Sequence, residues 1–230
     1  MRLLSFDRID STNNWAKKHL SQLLLETTCI IAREQTAGRG RCGRSWIGFP
    51  DRTLALSFVE PVRAGLSLLH YLQVSALFLH DVVSSFGISA RVRWPNDIWV
   101  GDRKLAGILV EGVFREGAPW VIVGIGMNVD LTEEMVASFS RPVISLRQIL
   151  GYRVSMDEIQ QAVIERGLKR LSWAQENPVL VSREWVQACR WMVGSPALPH
   201  KNGVIEGISE DGALFVRMCS GQLVSVYHGE

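Results

Sequence analysis

The clearest pattern along the chain lies in Leu66–Phe86, where Leu69, Leu72, Ala76, Leu79, Val83 and Phe86 recur at alternating spacings of three and four. That spacing puts them on one face of a helix, read as a core face with no cofactor role, and Gly87 follows as its C-cap. Leu3–Ile9 reads as a short strand, after which Ser11 or Thr12 caps a helix running to about Leu25. Cys29–Gln35 and Thr53–Val59 are β-branched or apolar runs, the second stopped by Pro61. Ala90–Trp94 is a strand ended by Pro95, which has no N–H to give to a ladder. Ile98–Val100 and Leu105–Val110 alternate about Gly101-Asp102 and read as a hairpin, and Trp120–Asn128 continues as a strand through Gly124 and Gly126.

A capping box, Ser155-Met156-Asp157-Glu158, predicts a helix to about Gln175, and Ser182–Ala188 predicts a shorter one. After Trp191 the pattern changes to short strands, Gly203–Ile208, Ala213–Met218 and Leu223–Tyr227, with turn residues between them. The expected architecture is α+β: a mixed sheet flanked by helices over residues 1–188, then a small β-barrel domain over residues 189–230.

At 230 residues and 47% apolar content the chain is long enough for a substantial core, and its net charge of +2 argues against a general nucleic-acid binder. Cys29, Cys42, Cys189 and Cys219 are far apart and form no C-x-x-C pair, which disfavours zinc and a disulfide framework, so no metal site is expected from them. No membrane span or signal peptide is visible, and a reducing cytoplasm is the expected setting.

One stretch stands out chemically: Thr36-Ala37-Gly38-Arg39-Gly40-Arg41-Cys42-Gly43-Arg44-Ser45-Trp46. Glycine lets the backbone approach a ligand, and arginine forks onto phosphate or carboxylate oxygens. The stretch lacks the spacing of a P-loop, and read alone it is equally a solvated basic turn or an RNA-binding patch. The basic residues between Arg33 and Arg44 suit a small anion better than a polymer. Lys104 sits among Leu105, Ala106, Ile108 and Leu109 beside Gly107, so it either faces inward toward an anionic partner or snorkels to solvent. Asn96 and Asp97 follow Pro95, where they serve either as turn residues or as polar positioning groups.

Taken in order, Ser11-Thr12-Asn13, the Gly/Arg loop ending at Trp46, Arg93-Trp94-Pro95-Asn96-Asp97 and Lys104-Leu105-Ala106-Gly107-Ile108-Leu109 resemble the motifs of the biotin protein ligases. The resemblance spans about residues 5–130 and weakens toward the C-terminus. It implies a class II synthetase-like catalytic fold, ATP and biotin as ligands with Mg²⁺ shielding the phosphates, and a biotinyl-AMP intermediate. It also implies transfer to a lysine of the biotin carboxyl carrier protein of acetyl-CoA carboxylase or a related carboxylase. Under it, Lys104, Arg41 and Asp97 are catalytic. Ser11, Thr12, Asn13 and Gln35 contact biotin, and Gly38, Arg39, Gly40, Arg41, Trp46, Asn96, Lys104 and Gly107 complete the ligand site.

Arg93 stands where the family has lysine, and Thr53 where it usually has asparagine, which puts local nucleotide or dimer contacts in question. The chain begins at the first motif, leaving no room for the winged helix with which some members repress transcription, so no DNA partner is expected. A homodimer stays open. The rival readings are a lipoate or octanoate ligase and a non-enzymatic biotin, adenylate or RNA binder.

Overall fold

The computed structural model describes residues 1–23, 26–197 and 203–227. In chain order the elements are β1 (Arg2–Ile9), α1 (Thr12–His19), β2 (Thr28–Gln35), β3 (Thr53–Pro61), α2 (Leu68–Ser84), β4 (Arg91–Arg93), β5 (Asp97–Val100), β6 (Arg103–Arg115) and β7 (Ala118–Asn128). There follow α3 (Glu133–Ala137), α4 (Leu146–Leu150), α5 (Met156–Glu176), α6 (Pro178–Cys189), β8 (Gly203–Ile208), β9 (Leu214–Met218) and β10 (Leu223–Val226). The first seven strands form one mixed sheet in the order β1-β2-β3-β7-β6-β5-β4, with β1 and β2 parallel and the other pairs antiparallel. The last three strands form a separate antiparallel sheet, β10-β9-β8, where a barrel was expected.

Side chains alternate across a strand, so the two faces of the sheet can be read from its centre. Leu54, Leu56 and Phe58 on β3 and Val121, Val123, Ile125 and Met127 on β7 enter the main core, which α2 and α5 cover. Val59, Trp120 and Ile122 point the other way and pack with Ala16 and Leu20 beneath α1. Gly124, Gly126 and Asn128 continue that second face past the apolar packing of α1, and there the sheet floors a cleft, with Asn13 at the start of α1 lying over Gly124.

The elements mostly coincide with the sequence pattern, with four corrections. α1 stops at His19, followed by a 3-10 turn at Leu20–Gln22; His19 Nδ1 lies 2.8 Å from the Trp15 carbonyl and its ring stacks on Trp15, which closes the last turn. Leu25, the expected end, is outside the described residues. α2 is buried on more than one face, because α5 and α6 pack against it as well as the sheet. Its fully buried Gln73 accepts from Ser182 Oγ at 2.9 Å and donates to the Glu210 carbonyl at 3.2 Å, tying α6 and the C-terminal sheet to the core. The capping box at Ser155 does not form: the Ser155 side chain makes no cap bond, and Asp157 and Glu158 complement the helix dipole instead. α6 begins at Pro178, whose missing N–H costs nothing at a first helical position.

No helix among the described residues is long and apolar enough to cross a membrane. Phe58, 1% exposed, packs edge-on against Phe78 and lies beside Gly167 of α5. Phe58→Ala is expected to cost about 3 kcal/mol of stability, the usual scale for emptying such a site. Urea unfolding checks this, and a loss under about 1 kcal/mol would place Phe58 outside the critical packing.

Candidate functional site

The open part of the α1-side face is the floor of a cleft of about 890 Å³. In register, Ser57 pairs with Gly124 and Gly124 with Leu109, while Ala55 pairs with Gly126 and Gly126 with Gly107. The glycines make room for side chains lying flat on the sheet. A Cβ on Gly126 would sit 2.3 Å from the Trp46 ring, and one on Gly124 would sit 2.4 Å from Asn13 Oδ1. Gly107 does the same for Lys104: a Cβ there would approach Lys104 Nζ to 2.9 Å.

One end of the cleft is a hydroxyl and carboxamide network. Ser11 caps α1, accepting from the Asn14 N–H. Gln35 Oε1 accepts from the Thr12 backbone N–H at 2.8 Å and from its hydroxyl at 3.1 Å. Both hydroxyls therefore have local duties: Ser11 is the cap, and Thr12 is held by Gln35. Ser57 Oγ lies 2.7 Å from Thr12 Oγ1 and 2.6 Å from Asn13 Oδ1. The Asn13 amide nitrogen donates to Glu111 at 2.9 Å and to the Leu109 carbonyl at 3.3 Å.

The other end carries charge. Asp97 pairs with Gly107 across the β5–β6 ladder, and Lys104 reaches over that glycine to place Nζ 2.8 Å from Asp97 Oδ1. Lys104 thus faces the cleft with an anionic partner and does not snorkel away. Its peptide is pinned on both sides: its N–H donates to the Pro142 carbonyl at 3.0 Å, and its carbonyl accepts from the Ile144 N–H at 3.0 Å. Asn128 bridges the Lys104 and Ile144 carbonyls through its amide nitrogen, leaving its buried oxygen without a partner among the described residues. Asn96 is clamped to Ile108 of β6, and its side-chain oxygen accepts from Arg41 Nη1 at 3.2 Å.

The loop cations differ in their company. Arg39 donates to Asn14 at 2.9 Å and pairs with Glu111 at 3.1 Å. Arg41 has no carboxylate within ion-pair distance among the described residues. Burial draws its guanidinium below the ordinary arginine value, against the opposing pull of Cys42 and Asp97. A desolvated cation without a counter-ion is a standing demand for an anion. Arg33 is a correction: it points to the surface, where it binds Asp51 at 2.7 Å and Asp7 at 3.2 Å.

Ser11, Thr12, Asn13, Gln35, Arg39, Gly40, Arg41, Trp46, Asn96, Asp97, Lys104 and Gly107 all line this one cleft. Gly38 does not: it lies behind the loop, where its carbonyl accepts from Trp46 N–H and a Cβ would meet the Trp46 carbonyl at 2.4 Å. Thr53 ties the turn after Trp46 through bonds of 3.1 Å to both the N–H and the carbonyl of Phe49. Arg93 stacks on Trp99 at 4.0 Å, a contact a lysine makes less well. Sequence reasoning missed Ser57, Glu111, Asn128 and the wall formed by residues 139–143.

Comparison with known proteins decides the family. A model described as the biotin/lipoate A/B protein ligase family matches residues 5–128. The biotin–[acetyl-CoA-carboxylase] ligase of Paracoccus denitrificans is 31% identical over 94% of this chain and 95% of its own length. The chain belongs to the biotin/lipoate A/B protein ligase family. The family's bifunctional ligase/repressor BirA of Escherichia coli is 39% identical over 56% of this chain but only 42% of its own length. A biotin protein ligase from Aquifex aeolicus, solved in complex with biotin and ATP, has the same fold: TM-score 0.80 at 24% identity, covering 100% of this chain and 97% of that one.

Gly126→Ala is expected to push Trp46 off the cleft floor and to cost about 1–2 kcal/mol of stability, the scale of forcing a packed side chain aside. Urea unfolding checks this, and unchanged stability would mean that Trp46 does not rest on Gly126.

Proposed function

We propose that this chain activates the carboxylate of biotin with ATP and passes the biotinyl group to a lysine of a carboxylase carrier protein. The observation that carries the reading is the pairing, within one cleft, of a polar-ended slot with Lys104 and a partly buried Arg41 that has no carboxylate partner among the described residues. Biotin is largely apolar with a ureido ring, which suits Leu109 and the glycine floor beside Ser11, Thr12, Asn13 and Gln35.

In the first step a biotin carboxylate oxygen bonds to the α-phosphorus of ATP as the bond to pyrophosphate breaks. Two anions must meet, and fixed cations offset their repulsion without having to reorganise. Lys104 and Arg41 supply that charge, while Asp97 aims Lys104 across Gly107. In the second step the lysine ε-amine of the carrier attacks the acyl carbon, AMP leaves, and the amine gives up a proton, for which Asp97 is the cleft carboxylate. Mg²⁺ would enter with the triphosphate. Asp97 is the acidic side chain lining the cleft, and no group of three metal-binding side chains occurs among the described residues, so the ion would rest mainly on phosphate oxygens.

The partner in this reading is the carrier domain of acetyl-CoA carboxylase or a related enzyme, and the setting is the cytoplasm. DNA binding has no part in it. The division into a ligase domain of residues 1–188 and a C-terminal domain of residues 189–230 belongs to the same proposal.

Pyrophosphate release with biotin, lipoate and octanoate side by side tests the substrate. Release with biotin well above the other two is expected; preference for lipoate or octanoate would move the chain to the other branch of the family, and no release with any of them would make it a binder. Lys104→Ala is expected to lower adenylate formation by two or more decades, roughly 3 kcal/mol. Turnover within about threefold of wild type, under 1 kcal/mol, would make Lys104 structural. Arg41→Gly is expected to speed loss of the adenylate more than it slows its synthesis, since it removes a charged contact and loosens the loop. Incubation with biotin, ATP and albumin, followed by a biotin blot, reads the leak, and bystander labelling at the wild-type level would contradict a covering role.

A further inference from the structure

Glu111 lies outside the motifs that mark the site, yet it joins three of the site's elements. It stands on β6 on the same face as Gly107 and Leu109, two residues beyond the cleft lining. Its side chain is 14% exposed. Lys17 of α1 approaches it at 2.6 Å, the Asn13 amide donates to it at 2.9 Å, and Arg39 of the loop lies 3.1 Å from Oε1 and 3.3 Å from Oε2. Asn13 in turn faces Ser57 through its oxygen at 2.6 Å, so the carboxylate sets which way the Asn13 carboxamide points.

We propose that Glu111 is a positioning residue that latches Arg39, and through it the Gly/Arg loop, onto the start of α1. Arg39 then serves as the loop's tether, which leaves Arg41 as its ligand-facing charge. The inference rests on the proposed function only in naming what the loop covers. Two cations, Lys17 and Arg39, converge on one carboxylate. Burial raises the Glu111 pKa, but the bonds from Lys17 and Asn13 and the charges of Lys17 and Arg39 outweigh it and hold the group below its ordinary value, so it is the charged form that binds. Without that charge Lys17 and Arg39 repel each other, and among the described residues Arg39 keeps just the bond to Asn14. The loop's glycines then favour an open state.

A tether and a merely structural carboxylate are separable. In the tether, the Arg39 side of Glu111 controls the loop; in a structural role, the Lys17 side controls α1. Two readouts are used on the full chain carrying Glu111→Gln, Arg39→Gln, both together, or Lys17→Gln. The first is trypsin cleavage after Arg41 and Arg44 in ligand-free protein, which reports loop opening whatever the ligand proves to be. The second is release of biotinyl-AMP, made from biotin and ATP, from the protein.

Glu111→Gln and Arg39→Gln are each expected to speed both readouts about fourfold, the scale of a partly exposed ion pair. The double variant is expected to match either single within about twofold, because both remove one interaction. Lys17→Gln is expected to leave loop cleavage near wild type, and Glu111→Asp to restore part of the protection. Additive effects in the double, equal loop opening with Lys17→Gln, or wild-type cleavage in Glu111→Gln would each overturn the proposal. Should wild type form no adenylate, the proposed function fails, while the cleavage data still decide the latch.

Discussion

A cation taken out of water without a counter-ion is the constraint on which the site is built. Lys104 has Asp97, and Arg39 has Glu111. Arg41 is partly buried against Asn96, with no carboxylate near enough to neutralise it among the described residues. Such an arrangement is costly in the empty protein and becomes favourable only when an anion arrives. The surrounding structure keeps the charge from escaping to solvent. Asn96 is clamped to Ile108, Trp46 lies on a floor of paired glycines, and the peptide of Lys104 is pinned between Asn128 and residues 142–144.

That geometry depends on a change of composition along a single face of the sheet. On β7, Trp120 and Ile122 pack beneath α1, and the next residues of the same face are Gly124, Gly126 and Asn128. The first pair anchors the helix that presents Ser11, Thr12 and Asn13. The glycines then lower the floor so that Asn13 and Trp46 can lie against it. Core and cleft are thus two ends of one strand, and the position of α1 sets where one becomes the other.

Much of this was legible before the fold was known, because the motifs are contiguous. Arg39, Arg41 and Trp46 share a loop, Asn96 and Asp97 a strand start, and Lys104 and Gly107 a strand, so each could be recognised without knowing what it faces. Ser57, Glu111 and Asn128 could not, since their partners lie 44, 98 and 24 residues away. Glycines at 107, 124 and 126 stood in the strands without announcing what they face; the structure shows that they make room for Lys104, Asn13 and Trp46. The face of α2 was read from its period, but its burial elsewhere depends on α5 and α6, which the helix's own sequence does not announce. The serine at the start of α5 marked the right place for the wrong reason, because carboxylates and not its hydroxyl serve the helix end there.

The most direct test of the charge argument is a structure of this chain with biotinyl-5′-AMP bound, reading the contacts to the phosphate. The expected result places Arg41 and Lys104 within hydrogen-bond reach of phosphate or carboxyl oxygens, about 3 Å, with Arg39 still on Glu111. A phosphate held by Arg39, with Arg41 left on Asn96, would contradict it.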